Sequence, residues 1–306
     1  MINVGVIGVG SIGAHHARIF SDLDDVNLSG IADTDSSKAA EIASRYNCKS
    51  FSNYIELMDS VDAVSIAAPT ILHYDIGLAC IQHQKHLLIE KPITSTIEEA
   101  DTLISEAERR GLVLQVGHLE RFNAGVSLIS SMVDAPQFIE SQRMSPFLQR
   151  SADVDVTLDL MIHDIDIILS LVNSEIADLR ATGAKVLTDN IDIAHAWIEF
   201  ANGCIAEAVT SRIANEKVRK LRVFQRNAFL ALDYQSQEVT CQKNIHDHIN
   251  KEIKKPEQKE PLREQLISFI ECVMNGSQPV VSGHEGKEAL KVALKISRLV
   301  NHGLST

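Results

Sequence analysis

Gly8-Val9-Gly10-Ser11-Ile12-Gly13 stands directly behind a short β-branched run, Val4–Ile7, and opens a helical pattern. No other feature of the 306 residues restricts the fold as much. At this spacing the first glycine makes the tight turn, the second admits a ligand to the backbone, and the third brings helix against strand. The helix start then offers its amides, those of Ser11 and Ile12 among them, to an anion. Asp33 ends the second strand 20 residues after Gly13, where an acid grips the ribose hydroxyls of an adenine dinucleotide. The residues beyond it, Thr34-Asp35-Ser36-Ser37, include no arginine for a 2′-phosphate, so NAD is favoured over NADP, with Lys38 as a nearby cation. The competing reading is a plain glycine turn followed by a helix-capping Asp.

The pattern continues as an alternation. Strands are expected at Leu28–Ala32, Val61–Ala67, His86–Ile89 and Leu112–Val116. Helices are expected at Ile12–Phe20, Ser36–Tyr46 with a Ser cap, Ile71–His83, and Thr96–Arg110 with Thr94 or Ser95 as cap and Gly111 as stop. Connections this short predict an α/β Rossmann domain with a parallel sheet over residues 1–118. After Gly117-His118 the rhythm changes. A helix over Ala124–Val133, a strand at Phe138–Arg143 and an apolar helix over Thr157–Val172 precede a run of six strands between Ile176 and Gln242. Asn202-Gly203 and Arg226-Asn227 read as hairpin turns. Residues 119–306 are therefore expected to form an α+β domain with a mainly antiparallel open sheet. The polar residues 243–261 read as an exposed loop, and two helices, Leu262–Met274 and His284–Val300, finish the chain, the last packing back on the first domain.

Composition narrows the partners. With 41 acidic against 29 basic residues the formal charge is −12, which argues against nucleic acid or a membrane surface as partner, though an anionic substrate held by local arginines is compatible. The five cysteines are scattered without a C-x-x-C pair and read as reduced core thiols, with no metal site expected. No basic leader or long apolar run precedes the first strand, so a cytoplasmic protein is expected.

Two places carry chemistry. Asp159, His163 and Asp166 stand at i, i+4 and i+7 of an otherwise apolar helix, on one face. Such groups either pair with each other in a core or line a cleft. An Asp one turn before a His can fix the imidazole tautomer for general-base work. Metal binding by Asp159, His163 and His118 is a further alternative without a recognised spacing. Glu90-Lys91-Pro92 follows the fifth strand, and ligands of open α/β sheets bind beyond the strands' carboxyl ends. Lys91 is thus either a nicotinamide-side group on a proline-stiffened turn or an exposed lysine before a helix.

Taken in order, Gly8-x-Gly10-x-x-Gly13, Ala68-Pro69-Thr70 with His73, Glu90-Lys91-Pro92 and Asp159-x-x-x-His163-Asp164-x-Asp166 resemble the Gfo/Idh/MocA oxidoreductases over essentially the whole chain. The resemblance implies sugar or cyclitol oxidation by Lys91, Asp159 and His163. It also implies cofactor contacts from Gly8, Gly10, Ser11, Ile12, Gly13, Asp33, Ala68, Pro69, Thr70, His73, Glu90 and Lys91. Gly117-His118-Leu119-Glu120-Arg121-Phe122-Asn123 and Asp153-Val154-Asp155-Val156 look like the branch acting on nucleotide sugars. That branch implies oxidation at C3 of UDP-N-acetylglucosamine to a 3-keto sugar for a partner aminotransferase, in amino-sugar synthesis for lipid A or the cell envelope. Beside Lys91, Asp159 and His163, His118 and Arg121 would position the sugar, and Arg143, Arg150 and Arg212 are the candidates for the diphosphate. A homodimer or homotetramer is implied. Val156-Thr157 replaces the Gly-Gly pair that opens the catalytic helix in many members, which bears on substrate fit. Inositol or a simple aldose as substrate, and a non-catalytic dinucleotide sensor, are the competing functions.

Overall fold

The computed structural model of the protein describes residues 1–147, 154–245 and 248–304. Its contacts divide the chain into two units. The first comprises Met1–Leu119 and Pro261–Lys287, the second Glu120–Glu260 and Glu288–Thr306.

In the first unit the order is β1 (Ile2–Ile7), α1 (Ser11–Ser21), β2 (Val26–Ala32), α2 (Ser36–Arg45), β3 (Lys49–Phe51), α3 (Tyr54–Leu57), β4 (Ala63–Ile66), α4 (His73–Gln82), β5 (His86–Glu90), α5 (Ile97–Arg109) and β6 (Leu114–Gly117). The sheet runs β3-β2-β1-β4-β5-β6, and all its pairs are parallel. Its order reverses at β1, which opens a crevice between the loops after β1 and β4. β4 is wholly buried, as a strand covered on both faces must be, and the continuous apolar run Ala63–Ile66 suits that place. Two caps differ from expectation. Asp35, not a serine, caps α2 by accepting the amide of Lys38 at 3.1 Å. Thr96 caps α5 in a reciprocal box with Glu99, while Gly111 ends that helix at φ +66° as expected. β3 and α3 were not anticipated, being too short to show a period.

The segment Pro261–Lys287 belongs with this unit rather than with the second. Helix α8 (Pro261–Asn275) packs Leu266, Phe269 and Ile270 against Phe20, Val4 and their neighbours, and the Gln115 amide donates to the Gln265 carbonyl at 3.0 Å. Burying such side chains contributes about 1.5–3 kcal/mol each, which explains why the penultimate helix is held here.

The second unit contains α6 (Ala124–Ser130), β7 (Pro136–Met144), a π-helical turn (Thr157–Met161) running into α7 (Ile162–Val172), and β8 (Ile176–Ala184), β9 (Ile193–Phe200), β10 (Ile205–Ser211), β11 (Val218–Gln225), β12 (Ala228–Asp233), β13 (Glu238–Ile245) and β14 (His248–Lys254). The last helix, α9 (Gly283–Leu304), begins in the first unit and continues here. The eight strands are ordered β14-β13-β12-β11-β7-β10-β9-β8, antiparallel except for β7 beside β10. Strict alternation of buried and half-exposed residues along β9 shows one face packed on helices α6, α7 and α9. The hairpin turns fall where expected, with Gly203 at φ +87° and Asn227 at φ +64°. Residues 243–261 are not a loop throughout: β14 pairs with β13 along the sheet edge. An edge strand needs no continuous apolar face, and lysines and glutamate there discourage further pairing, so its polar sequence hid it.

Candidate active site

The glycine loop has the geometry its sequence requires. Gly8 sits at φ +85°, where a Cβ would lie 2.8 Å from the Ala67 carbonyl oxygen and the Ala68 nitrogen. At Gly13 a Cβ would fall 1.8 Å from the Gly8 oxygen, so the helix meets the turn at a distance no other residue permits. Gly10 is different: a Cβ there meets nothing within 4 Å, and the residue caps α1 without any side-chain hydrogen bond. No acid occupies the first turn of α1. An open backbone, a helix start and no negative charge fit the pyrophosphate of a dinucleotide. Asp33 accepts the amides of Val9 at 2.7 Å and Asp35 at 2.9 Å, so the acid meant for the ribose also fastens the glycine loop.

The loops after β4 and β5 are tied together from below. His73 is buried, with Nδ1 2.8 Å from the Pro92 carbonyl and Nε2 2.8 Å from the Ala68 carbonyl. Burial pushes its pKa down, against the opposing pull of those carbonyls and of Glu90. Ala68 and Thr70 are half-buried and Pro69 exposed, so this loop presents its surface while His73 holds its base. Lys91 is half-buried, and the bond to Pro92 is cis. Glu90 is buried beneath it, with Oε1 3.3 Å from His16 Nε2, and His16 Nδ1 lies 2.6 Å from the Ser65 hydroxyl. Gly117 of β6 makes room for this carboxylate, since a Cβ there would lie 2.6 Å from it.

In the second unit the polar stripe separates into two kinds of residue. Asp164 and Asp166 are buried and bound to cations. Asp164 takes a two-pronged contact from Arg143 at 2.7 and 3.3 Å, and Asp166 faces Arg121 Nε at 3.7 Å. Asp159 and His163 are half-exposed instead. Asp159 lies within the π-helical turn, whose wider winding is common at functional positions. The turn is anchored by Asp155, which accepts the Ile191 amide at 3.0 Å and the Ser297 hydroxyl. Among the described residues no group of three His, Cys, Asp or Glu side chains is arranged to hold a metal ion.

Two of the expected diphosphate arginines are interior groups. Arg143 is 1% exposed, joined to Asp164 and to Glu120 at 3.0 Å, and stacked 5.3 Å over the Tyr234 ring. Arg212 is 3% exposed, donates to the Val154 carbonyl and faces Asp192 at 3.9 Å. Each holds buried carboxylate or carbonyl groups that would be costly to leave alone, and that explains its place. Arg150 lies outside the described residues, as does Asp153. His118, expected beside the sugar, is buried at the end of the first unit. Lys217, just before β11, and Arg219, within it, stand two apart, and Arg219 faces Glu120 Oε1 at 3.7 Å.

Residues 2–118 match the model of the oxidoreductase family with an NAD-binding Rossmann fold, and residues 126–230 match the Gfo/Idh/MocA C-terminal domain. The UDP-N-acetylglucosamine 3-dehydrogenase of Acidithiobacillus ferrooxidans is 39% identical over 234 residues, covering 76% of this chain and 74% of that protein. This chain belongs to the Gfo/Idh/MocA oxidoreductase family. The solved structure of the same Acidithiobacillus enzyme superposes with a TM-score of 0.94 at 33% identity, covering 98% of each chain. Myo-inositol 2-dehydrogenase of Thermotoga maritima is 25% identical over 94% of this Gfo/Idh/MocA chain and 93% of its own. At 17% identity and a TM-score of 0.85, Lactobacillus casei scyllo-inositol dehydrogenase, solved with NAD(H) and scyllo-inositol, shares the fold over 99% of this chain and 98% of its own. As a family member the protein is an oxidoreductase with an NAD-binding Rossmann domain and a mainly antiparallel C-terminal sheet. No helix among the described residues is long and apolar enough to cross a membrane.

Proposed function

We propose that the protein oxidises the C3 hydroxyl of UDP-N-acetylglucosamine with NAD, giving a 3-keto sugar for a partner aminotransferase in the cytoplasm. The observation that carries this reading is the division of the α7 stripe. Asp164 and Asp166 are committed to arginines, while Asp159 and His163 stay half-exposed on the same stretch of helix. The likeness to the Acidithiobacillus enzyme supports the substrate. The glycine loop and the ends of β4 and β5 would hold the cofactor, with Asp33 favouring NAD. Bound NAD supplies the hydride acceptor. The imidazole of His163 takes the proton of the sugar hydroxyl, and Asp159 holds that ring in the accepting tautomer. Lys91 donates from its ammonium to the hydroxyl oxygen and stabilises the alkoxide charge as it develops. His118, buried as it is, acts by holding the chain behind the substrate, and Arg121 by fixing α7 through Asp166.

The test is NADH formation with UDP-N-acetylglucosamine, myo-inositol and glucose offered separately. The nucleotide sugar should give a signal that grows with pH, because a proton is released with each turnover. His163→Ala and Lys91→Met should each lower the rate about 10²–10⁴-fold, His163→Ala with NAD binding intact. Turnover of inositol or glucose but not of the nucleotide sugar would overturn the substrate. Full activity in His163→Ala would overturn the mechanism.

A further inference from the structure

Arg219 on β11 and Arg143 on β7 are direct cross-strand partners, so two guanidinium groups stand side by side on the sheet. Like charges opposed in this way repel. Arg143 meets the repulsion with two carboxylates, Asp164 at 2.7 Å and Glu120 at 3.0 Å. Arg219 is less well served. It lies 3.7 Å from Glu120 Oε1, the same oxygen that Arg143 already engages. Lys217, two residues earlier, is exposed and adds a third positive charge. The Lys217 pKa is lowered chiefly by Arg219, and that of Arg219 is lowered by burial and then by Arg143. Arg143, the cross-strand partner of Arg219, holds Asp164, the residue that follows His163 in α7, so Arg219 stands one strand away from the anchor of that helix. Exposure separates the two arginines: the Arg143 side chain is 2% exposed, that of Arg219 32%.

Two guanidinium groups side by side, the outer one partly exposed, and a lysine at the rim offer charged donors to a phosphate group. The substrate chemistry sets the distance. In a nucleotide sugar the diphosphate is attached at C1, two ring atoms from C3, so its anion must bind within one pyranose ring of the base that deprotonates the C3 hydroxyl. We propose that Arg219, with Lys217 at its rim, is the diphosphate subsite, in place of the buried Arg143 and Arg212. This rests on the nucleotide-sugar reading above.

Calorimetric titration of the NAD-loaded protein with UDP, together with kinetics on UDP-N-acetylglucosamine, tests it. UDP should bind the wild type. Arg219→Gln should weaken UDP binding about 10–100-fold, the effect of losing a charged hydrogen-bonding partner, and raise KM by a similar factor while kcat changes far less. Lys217→Gln, on an exposed side chain that the fold does not need, should weaken UDP less but in the same direction. Arg219→Lys should recover part of the affinity and guards against a folding defect in the glutamine variant. A purely structural role would lower the melting temperature and leave the UDP Kd unmoved. Equal UDP affinity in wild type, Lys217→Gln and Arg219→Gln would overturn the subsite while leaving the nucleotide-sugar reading standing. A wild type that ignores UDP and turns over inositol or glucose would remove that reading and the subsite with it.

Discussion

The carboxylate of Asp33 accepts the backbone amide of Val9 at 2.7 Å, across the 24 residues that separate the end of β2 from the glycine turn. Its other oxygen takes the amide of Asp35, so both are oriented before any ligand arrives. A carboxylate oxygen has two acceptor directions, which leaves each able to receive a hydroxyl as well. Replacing Asp33 therefore has two effects. The loosened loop weakens NAD and NADP alike, and the lost ribose contacts weaken NAD alone. Asp33→Ala should cost NAD about 10–100-fold more affinity than NADP, measured by fluorescence titration of the two reduced cofactors. Equal losses would limit Asp33 to fastening the loop.

Arg143 gives a prediction for stability. Its removal leaves Asp164 and Glu120 buried with their main counter-charge gone, a change that typically costs about 3–5 kcal/mol. Arg143→Met should lower the melting temperature by roughly 6–20 °C in scanning calorimetry. The exposed pair of Arg109 with Glu106 is the control, and Arg109→Ala should leave the transition where it was. A melting temperature for Arg143→Met equal to wild type would mean that the buried charges find other partners.

The burial of Arg143 and Arg212 is not legible in the sequence while the geometry of the glycine loop is, because the two signals depend on different things. Gly8, Gly10, Gly13 and Asp33 act through the local backbone and a fixed chain distance, both of which a sequence displays directly. The helix stop at Gly111 and the hairpin turn at Gly203 are local in the same sense. Arg143 is decided by residues 21 and 23 positions away, Asp164 and Glu120, and no spacing shows that two acids from a helix and a turn converge on one strand. The stripe on α7 was visible as a stripe, but its division into cation-bound and half-exposed acids depends on Arg143 and Arg121 from other elements. Likewise, β14 is polar because it lies at an edge, and an edge is a property of the sheet.

Asp192 gives the protein a pH dependence at the acid end. It is buried between Arg212 and the turn at residues 186–188. Burial alone would raise its pKa, but the amides of Val186, Leu187 and Thr188 at 2.7–3.0 Å and the Thr188 hydroxyl hold it below the ordinary value. A carboxyl depressed in the folded state contributes stability that is complete above its unfolded pKa, about 3.9, and is lost as pH falls through the folded pKa. Asp192→Asn should therefore melt well below wild type at pH 7, and the gap should narrow as pH falls from 5 toward 2. A gap that is constant with pH would show that the ionised form is not what the three amides require.

The face of the second unit's sheet that its helices leave bare should join copies of the chain. Phe138, Phe224 and Phe229 form a continuous row there, with ring centres 5.8 and 5.0 Å apart, and Trp197 stands 6.0 Å from Phe138. These rings are half-buried or, at Phe224, 37% exposed, so they bring aromatic surface together on one face. Beside them on the central strands Arg222 pairs with Glu140 at 3.2 Å, and His195 Nε2 lies 2.8 Å from Glu207, polar groups that a second copy of the same face could also engage. Sheet faces that meet in this way do so about a two-fold axis, so a homodimer, or a homotetramer built from two of them, is the expected assembly. Light scattering at low micromolar concentration should report at least twice the 33.7 kDa chain mass. Phe224→Asp places a charge in the centre of the row without touching the helix-covered core, and should shift the protein toward monomer with its melting temperature dependent on concentration. A wild type that scatters as a monomer would leave the aromatic row without a partner and end this assignment.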